Sequence, residues 1–439
     1  MADRELEIVA RIARGVSDLP AETWDRLAPA GDPFLSHAFL SLLEKSESVG
    51  DGSGWTPLPV MVERAGRITA AAPGYLKTHS QGEYVFDHGW ADAWQRAGGD
   101  YYPKLQVSVP FTPCVGKRLL GDDSNALLAA LETVTVQNTL SSAHITFVEE
   151  GELGAAIGRG WLRRDGLQFH WINRGYASFD DFLGALASRK RKAIRKERVA
   201  AVMGIQIVEL RGTEIQPAHW DAMWTFYQHT GARKWGRPYL TRAFFDRAGE
   251  AMGDSALMFL ALLDGRPIAG ALNFVGGDTL YGRYWGAIED RPFLHFELSY
   301  YRAIDFAIAH GLTTIQAGAQ GEHKLSRGYE PVIIMSAHFL PDPGFRSAVA
   351  EFLAQEREAV RLEFEWSRAA LPAATTGALP TASHPSRGSG AAEGGWSPPP
   401  RSQSLRRPTR PPWGLPPISV SDRPSAAGQV DTPDPDHGL

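Results

Sequence analysis

The stretch Tyr281–Pro331, YGRYWGAIEDRPFLHFELSYYRAIDFAIAHGLTTIQAGAQGEHKLSRGYEP, decides the fold. Tyr281, Tyr284 and Trp285 make a β-prone run, and the segment from Gly286 to Pro292 breaks it. Phe296, Tyr300, Ala303, Ile304 and Ala307 then recur at three- and four-residue intervals, which predicts a helix from Phe293 with one buried face. Gly311 stops that helix, and Thr313 to Ala317 returns to strand. The loop beyond carries Glu322, His323, Lys324 and Arg327 within six residues, among Gly318, Gly321 and Gly328. We read the stretch as a strand–helix–strand unit whose closing loop is the candidate catalytic segment.

Working upstream, 255–263, 267–275 and 279–287 read as three antiparallel strands. Asp264-Gly265 and Gly276-Gly277-Asp278 supply the hairpin turns between them. Thr241 caps a helix to Met252, and 218–230 is a helix rich in aromatics whose Trp220, Trp224 and Tyr227 suit core packing. Ser188 to Arg198, SRKRKAIRKER, has seven basic residues and one acid. A strand at 167–172 and a Ser178-capped helix precede it. The first 160 residues alternate strands and helices in the same way, with Ser36 capping HAFLSLLEK. They are interrupted at 110–120 by PFTPCVGKRLL, which is extended and turned. The fold class is α+β, mixed α/β, with a first domain over 1–160 and a second over 161–368. A strand at 332–340 and a long helix at 344–365 close the second. Residues 369–439 are rich in Pro, Ser and Gly without a hydrophobic period, and we expect them to be disordered.

A net charge of −5 over 439 residues gives no global field toward nucleic acid or membrane. A single cysteine, Cys114, excludes intramolecular disulfides and cysteine-built metal clusters, and it has no basic neighbour in sequence that would activate it. The thirteen histidines are scattered, so no metal is expected. The N-terminus lacks a secretory pattern, and no run reaches the roughly 18 apolar residues of a membrane span. The expectation is a cytoplasmic protein.

HGWADAWQRAGGDYYPKLQVSVPFTPCVGKRLL at 88–120 and GEHKLSRGYEP at 321–331 together resemble the Fem-like, GNAT-related bacterial proteins described as N-acyltransferases or peptidoglycan biosynthesis proteins. The resemblance spans roughly residues 8 to 365. It implies two GNAT-like domains in tandem and transfer of an acyl or aminoacyl group to an amine. It departs from acetyl-CoA-dependent relatives at AIEDRPFLHFE, 287–297. Such enzymes carry there a glycine loop whose N–H groups hold a pyrophosphate, and this chain has the two acids Glu289 and Asp290 there instead. Fem-type enzymes similarly lack the loop and use aminoacyl-tRNA. The donors to weigh are therefore acyl-CoA and aminoacyl-tRNA, with a small-molecule or peptide amine as acceptor.

Acyl transfer to an amine needs a base for the ammonium proton and a cation near the developing oxyanion. His323 or Glu322 suits the first role, and Lys324 or Arg327 the second. The alternative is a solvated loop whose charges pair among themselves. His295 and Glu297 at the helix start are expected to face the same cleft, with Tyr284 and Trp285 lining it, although a helix N-terminus stabilises a carboxylate without any ligand. Arg189, Arg191, Lys192 and Arg195 are candidates for a phosphate-bearing partner, against the alternative of a solvated face. In the first domain, His88, Trp90, Thr112 and Arg118 lie near the PFTPCVG turn. A non-catalytic protein binding a nucleotide-linked or nucleic-acid partner through the basic helix is the third reading.

Overall fold

Asp264 and Gly265 take φ values of 51° and 76°, both positive, as a two-residue hairpin turn with right-handed strand twist requires. The computed structural model describes residues 8–234, 238–318, 322–369 and 371, apart from the side chains of 232–234 and 322. The proline-rich segment expected to be disordered lies outside the described residues from 372 onward, as does Gly321.

In chain order the strands are Ile8–Ile12 (β1), Trp55–Pro57 (β2), Val60–Arg64 (β3), Arg67–Ala72 (β4), Gly74–Lys77 (β5), Lys104–Val107 (β6), Leu120–Gly121 (β7), Ala143–Val148 (β8), Leu162–Ile172 (β9), Gln206–Arg211 (β10), Ala256–Leu263 (β11), Arg266–Gly276 (β12), Thr279–Ala287 (β13), Thr314–Gln316 (β14) and Glu330–Phe339 (β15). Eleven of them form one sheet in the order β10-β11-β12-β13-β14-β9-β15-β8-β6-β5-β2, and β1-β3-β4-β7 form a small second sheet. Among the described residues of the large sheet only β13–β14 and β6–β8 run parallel. A parallel pair needs a crossover. The helix Ser124–Gln137 makes one, and the helical segment from Leu294 to Ala309 makes the other. The fold is thus mixed α/β, and the same unit occurs twice: antiparallel strands, a crossover, then a parallel strand.

The closing strands are exchanged. β9 follows the first unit in sequence but pairs with β14 of the second, and β15, from the end of the second, pairs with β8 of the first. β9 and β15 also pair with each other over nine positions, Glu330↔His170 to His338↔Leu162, so the two units share one sheet. The boundary at 160/161 falls between the helix Glu150–Gly158 and β9. Helices pack both faces. Pro217–Lys234 lies directly on β13 at Gly286, where a Cβ would sit 2.1 Å from the Phe226 carbonyl oxygen.

Three helix starts match the composition, with the hydroxyls of Ser36, Ser178 and Thr241 accepting from the amides of Phe39, Asp181 and Phe244. The helix predicted from Phe293 differs. It is an α-turn at Leu294–Phe296, a π-turn at Glu297–Tyr301 and an α-helix at Arg302–Ala309. The wider π-turn contains Glu297, which is fully buried.

Beside its apolar core the first unit buries a polar cluster. Lys104 Nζ donates to Asp87 at 2.6 Å, Glu83 at 2.9 Å and Ser80 at 2.9 Å, and the Tyr101 hydroxyl donates to Asp87. His144 of β8 and His338 of β15 meet Nδ1 to Nδ1 at 2.6 Å. Burial pushes His144 down to about 3 and His338 well below 6.5, so both are neutral and one donates to the other. No described helix is long and apolar enough to cross a membrane. No cluster of three metal-ligating side chains occurs among the described residues.

Candidate active site

β13 and β14 pair over only three positions, Thr279↔Thr314, Leu280↔Ile315 and Tyr281↔Gln316, and β14 ends there. Past that point β13 carries a bulge. Leu272 pairs with Tyr284 and Asn273 with Gly282, leaving Arg283 as the extra residue. A bulge re-aims side chains. Here it sets the Arg283 guanidinium 5.3 Å from the Tyr284 ring centroid and lets it donate to the Phe111 carbonyl. Arg283 Nε is buried without a hydrogen-bond partner among the described residues.

The PFTPCVG segment of the first unit fills the space where β14 stops. Val115 N–H donates to Gln316 Oε1 at 3.1 Å, and Gln168 Nε2 to the Pro113 carbonyl at 2.9 Å. Arg118 is buried and spends its donors on the carbonyls of Thr146, Lys117 and Cys114. Asp32, Thr112, Cys114, Arg118 and Tyr281 line a narrow crevice here. Two arginines, Arg283 from β13 and Arg118 four residues on in the same segment, act on Cys114 electrostatically, yet burial dominates and raises its thiol pKa.

The turn Glu322–Arg327 separates two neighbouring candidates. Lys324 points inward and is 1% exposed. Its Nζ donates to the Gly318 carbonyl at 2.7 Å, and no carboxylate lies within ion-pair distance among the described residues. Burial pushes this amine from 10.5 down to about 7, with the facing Cys114 thiol opposing the shift. Buried His170 is lowered to about 3, by desolvation first and by Lys324 second. His323 points outward. Its Nε2 lies 2.9 Å from the Tyr300 hydroxyl, and its ring centroid 6.4 Å from that of His295. His295 in turn sits 5.0 Å from Trp285, so His323, His295 and Trp285 share one aromatic surface with Phe296 and Tyr300. Tyr284 leaves this group for the other face of the sheet, where it packs on Tyr227 at 5.4 Å.

Two expected binding residues are held by the fold. Glu297 receives Arg198 at 3.0 Å through two nitrogens and Arg302 at 2.9 Å, so its carboxylate is taken up by the fold. Arg327 lies 3.4 Å over the Phe296 ring, pairs with Glu197 at 2.8 Å and donates to the His323 carbonyl. The side chain of Glu322 lies outside the described residues.

A family model described as peptidoglycan biosynthesis/recognition matches residues 15–375. The chain belongs to this FemAB-like family. The match spans both sheet units and ends near the close of the long helix Pro343–Ala369. No curated protein matches. Among solved structures, FemX is similar at 14% identity over 77% of this chain and 98% of its own, with a TM-score of 0.47. L-PGS from Bacillus licheniformis is similar at 9% identity over 72% and 95%, TM-score 0.45. A tandem GNAT protein from the clavulanic acid biosynthesis pathway is similar at 13% identity over 77% and 99%, TM-score 0.41. These TM-scores fall below 0.5, and the two-unit architecture rests on the strand order itself.

Within this FemAB-like fold the basic helix Ser188–Ala201 packs beside the 322–327 turn, with Lys190 Nζ donating to the Leu325 carbonyl at 3.3 Å. Arg191 donates to the Gly184 carbonyl and Arg195 pairs with Asp180 at 2.8 Å, both near the helix surface. Arg189 and Lys192 are exposed. The sequence reading missed Arg283 and Gln316. The available signal was an arginine set between aromatics and glycines in YGRYWG, an unusual residue for a buried strand.

Proposed function

We propose that this chain transfers an acyl or aminoacyl group from an activated ester or thioester to an amine, with Lys324 as the base. The observation that carries this is a buried amine without a counter-ion among the described residues, one hydrogen bond from the end of β14. A lysine at 10.5 is almost wholly protonated at neutral pH, whereas one near 7 is about half neutral and can accept the acceptor ammonium's proton. The freed amine attacks the acyl carbonyl and forms the C–N bond. Collapse of the tetrahedral oxyanion then breaks the C–O or C–S bond of the donor, and the leaving group takes up a proton. Arg283, which like Lys324 acts electrostatically on the Cys114 thiol, supplies positive charge to the oxyanion. Membership of a peptidoglycan biosynthesis/recognition family supports an amine of a peptidoglycan precursor as acceptor. The absence of pyrophosphate-binding glycines at 287–297 favours aminoacyl-tRNA over acyl-CoA.

A second reading places the base at His323, favoured by its contact with the Tyr300 hydroxyl on the aromatic surface. The test is mass spectrometry of acceptor modification, with charged tRNA and CoA thioesters supplied separately. Lys324→Met should lower kcat by roughly 10²-fold or more, the usual contribution of a general base, with little change in KM. If Lys324→Met keeps full activity and His323→Gln abolishes it, the base is His323.

A further inference from the structure

The helix Ser188–Ala201 divides its charges between two faces. Inward, Ile194 and Ala201 are buried, and Arg198 is taken up by Glu297 and Asp305 at 3.0 and 2.6 Å. Glu197 pairs with Arg327 and Lys190 reaches the Leu325 carbonyl. Outward, Arg189, Lys192 and Lys196 are exposed, with no hydrogen-bond or ion-pair partner among the described residues. Val199 follows at 67% exposure, and Met203, in the turn just after the helix, at 71%. They are the two most exposed large hydrophobic residues among those described. Positions 189, 192, 196, 199 and 203 are spaced three, four, three and four apart, so all five fall on one narrow stripe.

We propose that this stripe docks the protein on an anionic lipid surface. The cations explain attraction to phosphate, and the aliphatic end distinguishes the partner. A nucleic acid offers phosphates and ring faces, for which Val199 and Met203 are poor contacts, and the stripe carries no aromatic residue to stack on a base. A bilayer interface accepts both halves: headgroups meet Arg189, Lys192 and Lys196, while Val199 and Met203 enter the acyl boundary. The chain's net charge of −5 means that the attraction is local to this face and orients the molecule. The docking surface is independent of the transferase reading.

The test is co-sedimentation of the full-length protein with vesicles of equal parts phosphatidylglycerol and phosphatidylcholine, against phosphatidylcholine alone. Binding to the anionic vesicles only, weakened by salt, is expected. Each neutralised cation should weaken partition by about fivefold, so Arg189→Gln/Lys192→Gln/Lys196→Gln together should lose well over tenfold. Val199→Ser/Met203→Ser, which keeps every charge, should lose several-fold. All five residues are exposed, and unchanged circular dichroism confirms that the variants fold. Equal binding to both vesicles, or to neither, overturns the proposal. So does an unaffected Val199→Ser/Met203→Ser protein that single-stranded RNA displaces from the vesicles, since that would mark a nucleic-acid surface.

Discussion

Replacing Lys324 by Met should make the protein more stable and less active at once. The buried amine is lowered from 10.5 to about 7, and at about 1.4 kcal/mol per pKa unit its charged form costs the fold at most about 5 kcal/mol. The substitution keeps much of the side-chain volume and sacrifices one hydrogen bond to Gly318, worth about 1 kcal/mol. A net gain of a few kcal/mol remains. Its pH dependence has a fixed sign. Below the folded value of about 7, both folded and unfolded wild-type chains are protonated, and the wild type carries the whole cost. Between about 7 and 10.5 the unfolded chain holds a proton that the folded one lacks, so wild-type stability rises with pH and the variant's advantage shrinks. Urea unfolding of both proteins, below the folded value and again near 10.5, measures the difference. A variant less stable than wild type, by an amount that does not change with pH, would refute the reasoning and make Lys324 an ordinary structural cation. A stability gain combined with lost transfer is the signature of a residue retained for chemistry.

Glu297→Gln should destabilise by about 3–5 kcal/mol, because it leaves Arg198 and Arg302 facing a neutral group at a buried position; a lowered urea midpoint checks this. Acid should unfold the protein early. His144, lowered to about 3, contributes stability that is complete above 6.5 and lost as pH falls toward the folded value, and His338 acts in the same direction. Circular dichroism across that range should show His144→Gln to be less acid-sensitive than wild type.

Much of the sheet was legible because its signals are local. Asp264-Gly265 and the alternating runs around it specify β11 to β13 without reference to the rest of the chain. The exchange of β9 and β15 was not legible, since it rests on pairings between residues far apart in sequence. The site divides in the same way. That the 322–327 turn gathers ionisable side chains could be read from its composition, but which of its residues faces inward could not. Lys324 is buried because the chain near Cys114, some two hundred residues earlier, closes over the end of β14 through the Val115–Gln316 hydrogen bond. Glu297 misled for the complementary reason. A carboxylate at a helix start fits a ligand as well as it fits the dipole, and its actual partner, Arg198, lies on the basic helix.

The central claim is that Lys324 is an amine poised to lose its proton near neutral pH. Carbon-13 NMR of lysine-labelled protein tests it most directly, with the Lys324 resonance assigned by its loss in Lys324→Met. The account predicts a titration midpoint of about 7 for that resonance. A midpoint near the ordinary 10.5 would contradict it.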